Sequence, residues 1–198
     1  MAAGATVVPA SSTLVASLWP AHRGGAVRGA ILVLLAAGLL TVSAKVQVPF
    51  WPVPMTMQTM VVLMIAAAMG WRLGTAAVIA YLLEGALGLP VFAGTPERGL
   101  GLAYMMGPTG GFLFGFLAAT VVTGCLAEQG FGRTLPRLLV AMAIGHAVIF
   151  AFGLGWLSLQ LGAVQAWAVG AAPFVAGTLV KTVLAAALVQ AGWLVARR

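Results

Sequence analysis

The sequence predicts an all-α, polytopic integral membrane protein with six transmembrane helices, and three observations lead to this prediction. Hydrophobic residues make up 62% of the 198 residues and charged residues only 7%, whereas soluble domains carry about 25% charged residues. The apolar residues lie in six long runs. The basic residues between these runs are divided unequally between two sides, in a way that fits an even number of spans. Because so few charges cannot cover a surface for water, the surface must face lipid.

The six runs follow a short N-terminal tail. Residues 1–26 are small and aperiodic and lack a convincing signal-peptide core, so they are expected to form a disordered cytoplasmic tail. Residues 27–198 are expected to form a six-helix membrane domain. Crossing a hydrocarbon core of ~30 Å takes about 20 residues, so the second run is short and the first and third are marginal. The predicted spans are residues 29–44, 55–69, 73–89, 110–127, 138–159 and 174–196.

The basic residues predict that both termini are cytoplasmic. With six spans, one side of the membrane carries seven arginines, and the other side carries Lys45 and Arg98. The side with more Lys and Arg is placed in the cytoplasm by the positive-inside rule. The seven arginines are Arg23, Arg28, Arg72, Arg133, Arg137, Arg197 and Arg198.

The connection of residues 89–111 is rich in Gly and Pro, and it is expected to be irregular, without a helix of its own. Loops of this length are commonly lids or binding loops, so it is predicted to cover a small-molecule site. Residues 46–54 and 160–172 are expected to form irregular segments on the same, outer side.

Small residues recur four apart in two of the predicted spans and favour close approach of helix backbones in lipid. They lie at the start of the fourth span and within the fifth. A similar pair on the first span, Ala37 and Thr41, could instead meet a separate membrane protein. The residues in the fourth and fifth spans are Gly107, Gly111, Gly115, Ala119, Gly145 and Gly153.

Lys181 is the sharpest indication of a site. If Pro173 opens the sixth helix, Lys181 lies about 12 Å below the outer end of that helix, at 1.5 Å per residue. Ionisable side chains at such a depth usually face a cavity or a partner. The alternative is that the lysine extends to the outer interface. The residues that share its helical face are small or polar and favour the inward direction: Gly177, Thr178, Thr182 and Ala185.

Further candidate ligand contacts lie near the outer ends of the spans. Arg98 offers a second cation, and Glu97 and Gln58 offer hydrogen bonds. Phe92 and Tyr104 offer apolar surface. The ordinary alternatives are a solvated loop pair for the two charges, an interfacial aromatic belt for Phe92 and a packed polar residue for the glutamine.

Two other ionisable residues have alternative interpretations. Glu84, near the outer end of the third span, is expected to form a salt bridge or lie at the interface at least as readily as it contacts a ligand. His146, alone in the fifth span, is expected to be a satisfied buried histidine rather than a metal ligand or a proton relay.

Several classes of function are excluded by what the sequence lacks. There is no Asp and no Asn, which removes most metal clusters, and no cofactor is expected. No GxxxxGK[ST] phosphate loop is present, so this chain does not hydrolyse ATP. The net charge of +7 is dispersed and does not indicate nucleic-acid binding. A buried cation without an energy source favours a capture protein; the alternatives are an intramembrane enzyme using His146 and Glu84, and a structural scaffold.

Three ordered motifs carry a resemblance to a known family. They are Pro-Val-Pro-Met-Thr-Met-Gln-Thr at residues 52–59, Tyr-Leu-Leu-Glu-Gly-Ala-Leu-Gly-Leu-Pro-Val-Phe-Ala-Gly at 81–94, and Gly-Pro-Thr-Gly-Gly-Phe at 107–112. From about residue 29 to the C-terminus the chain resembles the BioY family, the biotin-binding S components of energy-coupling-factor (ECF) transporters.

The resemblance implies a six-helix protein of the plasma membrane that binds biotin from outside for import. Its implied partners are a transmembrane coupling protein and two cytoplasmic ATPase subunits, although some members are thought to act without them. A different vitamin remains the alternative substrate.

The resemblance also assigns roles within the sixth helix. The family motif resembles Pro-Phe-x-x-Gly-Asp-x-x-Lys, in which the Asp and the Lys are associated with the ligand. Lys181 matches the lysine, but Thr178 stands where the family has Asp. A hydroxyl can donate and accept a hydrogen bond without adding charge, so Lys181 is expected to be freer to pair with an anionic ligand.

Overall fold

A computed structural model describes residues 13–19, 25–48 and 52–196 of the chain. Two short strands, β1 (Gln47–Val48) and β2 (Met55–Thr56), pair antiparallel. Single 3-10 turns occur at Phe131–Arg133 and Ala172–Phe174. The helices in this part of the chain are α1 (Leu14–Leu18), α2 (Gly25–Lys45), α3 (Gln58–Ala86), α4 (Gly101–Met105), α5 (Gly110–Glu128), α6 (Leu135–Leu161), α7 (Ala163–Gly170) and α8 (Val175–Ala196).

The helix α3 reverses direction at Gly70. This glycine has a left-handed φ of 78° with a ψ of 178°, which a residue with a Cβ rarely adopts. In a straight helix Gln58 and Tyr81 would be about 35 Å apart, yet Gln58 Nε2 donates to Tyr81 Oη over 2.7 Å. A Cβ on Gly74 would likewise lie 3.5 Å from Ala66 Cα. Residues 58–69 and 71–86 are therefore two antiparallel helical segments.

The predicted apolar segments correspond to the observed helices. Five helical stretches of the described chain are long and apolar enough to cross a membrane. One of these is α3, whose reversal matches the break predicted between the second and third segments. Residues 58–69 extend about 18 Å, less than the ~30 Å hydrocarbon core, so the second segment is short as expected. The count of six spans and the sidedness of the termini stay predictions.

The segments expected to be irregular contain regular structure, which corrects the prediction. α4 lies within the connection of residues 89–111, where Leu, Ala, Tyr and Met follow Gly101 and favour a helix. α7 occupies most of residues 160–172, where alanines do the same. The two-residue strands are the exception to an otherwise all-α fold.

The predicted disordered tail, residues 1–26, lies mostly outside the described residues. Within residues 13–19, α1 is capped by Thr13, whose side chain accepts a hydrogen bond from the backbone N–H of Ala16 over 3.3 Å. Leu14 is buried and packs against α8 at Gly192, where a Cβ would overlap the leucine side chain. For the rest of the tail, disorder stays a prediction.

One end of the bundle carries the two short strands and the connection between α3 and α5. We call residues 46–48, 52–57 and 87–109 the roof. At the opposite end, the Gly70 reversal lies beside Glu128, whose side chain accepts from the backbone N–H of Trp71 over 3.2 Å. Lys45 and Arg98 lie at the roof end, as predicted. Four of the seven arginines predicted to be cytoplasmic are described, and they lie at or near the opposite end: Arg28, Arg72, Arg133 and Arg137.

Candidate functional site

A cavity lies directly beneath the roof, enclosed by α3, α5, α6 and α8. Its interior leaves about 50 Å³ for the centres of water-sized molecules, and it is partly open to the exterior. Its lining combines polar side chains from the roof, α3 and α8 with aromatic and aliphatic side chains from α5, α6 and the 3-10 turn before α8. Such a mixture of apolar walls and a few placed polar groups is typical of small-molecule sites.

Lys181 lies on the cavity side of α8 and is 6% exposed. Its Nζ donates to the backbone carbonyl of Thr56 over 3.1 Å, its one hydrogen bond to the described residues. None of the three glutamates of the chain lines the cavity. The predicted inward orientation is confirmed. Since an ammonium has three N–H donors, two remain for a ligand.

Thr178 stands one turn before Lys181 and also lines the cavity. Its backbone carbonyl accepts from the Thr182 hydroxyl over 2.8 Å. The buried Ala185 continues the same face of α8. The predicted strip of small and polar residues therefore faces the bundle interior, and the position of the family aspartate carries a hydroxyl beside the lysine.

A hydrogen-bonded polar group joins the roof to α3. Gln58 Nε2 donates to Tyr81 Oη over 2.7 Å, and Tyr81 Oη donates to the carbonyl of Val91 over 3.3 Å. Gln58 Oε1 accepts from the Thr56 hydroxyl over 3.3 Å. These hydrogen bonds fix the amide of Gln58 and engage both its oxygen and its nitrogen. Gln58 lines the cavity, and its contact with a ligand stays a prediction.

The apolar wall is formed by the pair α5 and α6. Phe112 and Phe116 are four residues apart on α5 and so share one helical face. Ile149 and Phe150 face them from α6, and the Phe112 and Phe150 rings meet edge to face with centroids 6.4 Å apart. These rings provide a flat apolar surface opposite the polar side of the cavity.

The charged loop residues lie above the cavity rather than inside it. Glu97 and Arg98 line a crevice on the outer surface of the roof. Arg98 Nη1 donates to the carbonyl of Pro52 over 3.1 Å and so joins the two segments of the roof. Tyr104 and Thr109 line both the crevice and the cavity. They form the partition between the two spaces.

Phe92 does not line the cavity. Its ring is 0% exposed and fills the space left by the missing side chain of Gly85. It stacks on Tyr104 with centroids 4.9 Å apart and meets the edge of Tyr81 at 5.4 Å. The geometry gives Phe92 the role of anchoring the roof to α3, and a direct ligand contact stays a prediction without support from this placement.

His146 lies behind the cavity, between α6 and α8, and is 4% exposed. Its Nδ1 is 3.1 Å from the carbonyl oxygen of Met142 and 3.1 Å from the hydroxyl of Thr182. A carbonyl can only accept, so Nδ1 carries the proton. Nε2 is buried without a hydrogen-bond partner among the described residues. The expected satisfied histidine is therefore found at Nδ1 but not at Nε2.

The residues that sequence reasoning missed are mostly the apolar ones. Phe112 ends one of the quoted motifs and Phe174 lies in another, so the motifs contain lining residues beyond those predicted. Thr56 and Thr59 stand beside Gln58 in the first motif. For Ile149 and Phe150 the sequence holds no distinguishing signal, because they lie in a continuous apolar run. The lining residues not predicted are Val53, Pro54, Thr56, Thr59, Ala93, Thr109, Phe112, Leu113, Phe116, Ile149, Phe150 and Phe174.

The site has the features of a binding protein. Among the described residues, no group of three or more His, Cys, Asp or Glu side chains could hold a metal ion. Glu84 lies outside the cavity lining, so it does not meet His146 there. A polytopic membrane protein with a roofed cavity and a buried lysine defines the class: a membrane protein that binds a small molecule.

The family model described as the BioY family matches residues 11–198, and the chain belongs to this family. A protein of Thermotoga maritima named "Biotin transporter BioY" is 39% identical over 158 residues, which cover 77% of this chain and 90% of that protein. A "Probable biotin transporter BioY" of Pyrococcus horikoshii is 35% identical over 159 residues, covering 80% of this chain and 92% of the relative.

A solved structure shares the fold. The crystal structure at 2.1 Å of the S-component for biotin from an ECF-type ABC transporter superposes with a TM-score of 0.73. The matched region covers 83% of this chain and 89% of the chain in the crystal structure, and the two sequences are 23% identical. The predicted family and fold class are both confirmed, and the chain is a multi-pass membrane protein.

Proposed function

We propose that this chain is the biotin-binding S component of an ECF-type transporter in the plasma membrane. The names of its relatives and the shared fold support this proposal. The observation that carries it is the buried ammonium of Lys181, which lies 3.1 Å from Thr56 O beside a cavity with apolar walls. A charge at this depth needs a partner, and an anionic ligand supplies one.

The chemistry of biotin matches the distribution of groups around the cavity. The carboxylate requires a cation, which Lys181 provides. The ureido ring requires donors and acceptors, and Thr178, Thr59 and Gln58 lie on the polar side. The thiophane ring and aliphatic tail require apolar surface, which the aromatic wall of α5 and α6 provides.

Import requires energy from another protein. The chain lacks an ATP-binding phosphate loop, so we propose a transmembrane coupling protein and two cytoplasmic ATPase subunits as partners. In this arrangement the roof closes over biotin, excludes water and opens again for release. No catalytic step is part of the proposal.

Radiolabelled biotin binding to the purified full-length chain tests the proposal. We expect saturable, one-to-one retention at nanomolar concentrations, with unlabelled biotin competing and the uncharged biotin amide competing at least ~30-fold less well, since a desolvated charge pair contributes several kcal/mol. A panel of other vitamins serves as control. Retention of another vitamin with indifference to biotin would reassign the substrate, and the absence of any saturable ligand would favour a structural scaffold.

A further inference from the structure

Lys45 occupies an unusual position at the junction of α2 and the roof. It is the last residue of α2, and the hairpin of β1 and β2 begins two residues later. Within residues 13–19, 25–48 and 52–196, its side chain pairs with no carboxylate. Instead Nζ donates to the carbonyl of Phe92 over 3.0 Å, to the carbonyl of Thr95 over 3.1 Å and to the hydroxyl of Thr95 over 3.0 Å.

These contacts meet a need of the long connection. Residues 91–95 have no helix or strand, so their carbonyls require donors from elsewhere. Tyr81 donates to Val91 O over 3.3 Å, and Tyr104 donates to Ala93 O over 2.8 Å. Lys45 donates to the carbonyls of Phe92 and Thr95, and unlike the two tyrosines it is a charged donor. Charge-assisted hydrogen bonds are about twice as strong as neutral ones.

The position of Lys45 lets one side chain control both segments of the roof. The hairpin is joined to the end of α2, because the backbone N–H of Met57 donates to Val46 O over 3.1 Å. The long connection is held by Nζ on its other side. The second link between the segments, Arg98 to Pro52 O over 3.1 Å, lies at the outer surface. Lys45 therefore joins them at their base.

The same lysine is exposed to solvent, in contrast to Lys181. Water can replace its three acceptors when the roof lifts, so breaking these bonds does not leave a buried charge. The contacts are thus strong enough to favour closure and still reversible. Ala93, between the two residues that Lys45 contacts, lines the cavity, so movement of this stretch opens the cavity directly.

We propose that Lys45 is a positioning residue that holds the roof closed over the cavity and thereby sets how slowly a bound ligand leaves. Lys45 itself does not line the cavity, and it acts through residues 92–95. The inference rests on the proposed function for the identity of the ligand, biotin. Its effect on closure does not depend on that identity.

The test compares Lys45→Met, which keeps the apolar stem, with Lys45→Arg and with Arg137→Met, a matched charge removal on an exposed residue at the opposite end. Association and dissociation rates of radiolabelled biotin are measured on the full chain in detergent. Lys45→Met is expected to raise the dissociation rate at least ~10-fold, with the association rate unchanged or faster and Tm within ~3 °C of wild type. Lys45→Arg should restore part of the slow release, and Arg137→Met should behave as wild type.

A double-mutant cycle checks that the effect passes through the named acceptor. Thr95→Val alone is expected to raise the dissociation rate ~3-fold, and in the Lys45→Met background it should add less than that, because the two residues share a hydrogen bond. Full additivity would contradict the proposal. An unchanged dissociation rate in Lys45→Met, or a rise in that rate accompanied by a large fall in Tm, would overturn it.

A ligand-free measurement separates this proposal from the proposed function. Trypsin cleavage of the Arg98–Gly99 bond, followed by mass spectrometry of the intact and cut chains, reports opening of the roof without biotin. Lys45→Met should be cut several-fold faster than wild type, and Arg137→Met at the wild-type rate. If wild type fails to retain biotin, the proposed function fails, while the cleavage rates still decide the role of Lys45; equal rates overturn it.

Discussion

The roof and the wall of the cavity are held by different physical means. In the roof, side-chain donors reach irregular backbone: Tyr104 to Ala93 O over 2.8 Å and Arg98 to Pro52 O over 3.1 Å. In the wall, formed by α5 and α6, glycines bring helix backbones together. A Cβ on Gly115 would lie 3.0 Å from both Cα and O of Ile149, closer than ordinary van der Waals contact.

The difference indicates which region can move. When the roof lifts, each of its hydrogen bonds can be exchanged for one to water at a net cost of about 1 kcal/mol. A close backbone contact has no such substitute, because separating the helices leaves a void. The wall therefore provides a fixed surface, and the roof provides the part that opens. Lys181 belongs to neither region but connects the roof to the helix bundle, since it stands on α8 and donates to Thr56 in the roof.

The largest expected effect is that of Lys181→Met, which should remove ligand binding and keep the fold. Loss of one partner of a buried charge pair costs about 2–5 kcal/mol, so biotin affinity should fall by at least ~30-fold. Thermal stability should stay equal or rise, because the variant buries no unmatched charge. Equilibrium binding of radiolabelled biotin measures the first, and thermal denaturation in detergent the second.

Arg137→Met is the matched control for this variant, since it removes a positive charge from an exposed residue away from the cavity. It should bind as wild type. Undiminished biotin affinity in Lys181→Met would mean that the buried ammonium does not contact the ligand. The cavity between roof and wall would then not be the biotin site proposed.

Gly115→Leu is expected to have the next largest effect and to act on the fold. Overpacking costs about 1–3 kcal/mol or more, and here the obstructing atoms are backbone, which cannot move aside. Tm should fall by several degrees and the folded fraction should decrease. Gly155→Leu is the control, because a Cβ there meets nothing within 4 Å. Equal melting temperatures for the two variants would show that the wall is not held by close contact.

How much of the roof and of the cavity wall the sequence predicts depends on the kind of interaction that forms them. A polar residue in an apolar run is conspicuous, so the sequence predicts Lys181, Thr178 and Gln58 as candidates, and all three line the cavity. The bounds of the six segments followed from hydropathy and from Gly and Pro. The apolar lining from α5 and α6 could not be identified, because lipid-facing and cavity-facing residues have the same composition. The contacts of Lys45 join residues 47 and 50 positions apart, a distance at which sequence patterns carry no information.

Phe92 shows the same limit within the roof. As an aromatic residue in a flexible connection it fits a ligand-binding prediction, yet its ring lies in the space beside Gly85. Only the folded arrangement reveals that the glycine of one motif region accommodates the phenylalanine seven residues later. Both residues lie in the motif of residues 81–94, so the resemblance located the pair without distinguishing packing from binding.

Phe92→Ala should therefore loosen the roof without removing a ligand contact. Removing a fully buried phenylalanine costs about 3–5 kcal/mol in stability; because the ring anchors the roof, most of this should appear as faster release of biotin, by ~10-fold or more. Phe114→Ala, at an exposed position of α5, is the control and should release biotin at the wild-type rate. Faster release with an unchanged rate of trypsin cleavage at the Arg98–Gly99 bond without biotin would instead make Phe92 a ligand contact.

The smallest expected effect is that of Tyr104→Phe, which tests the neutral hydrogen bonds of the roof. The variant keeps the stacking on Phe92 and loses the bond to Ala93 O, so biotin release should quicken ~5-fold, as expected for about 1 kcal/mol. Burial raises the pKa of the Tyr104 hydroxyl, so it stays protonated and continues to donate beyond the pH at which an exposed tyrosine ionises. Because the pKa is raised in the folded protein, the contribution of this hydroxyl to the free energy of unfolding should be constant below pH ~10 and fall above it. The Tyr104 hydroxyl should therefore add no pH dependence between pH 7 and pH 9, so release should change with pH alike in wild type and Tyr104→Phe. A rise in the release rate of wild type across this range that is absent in Tyr104→Phe would show that the hydroxyl ionises early.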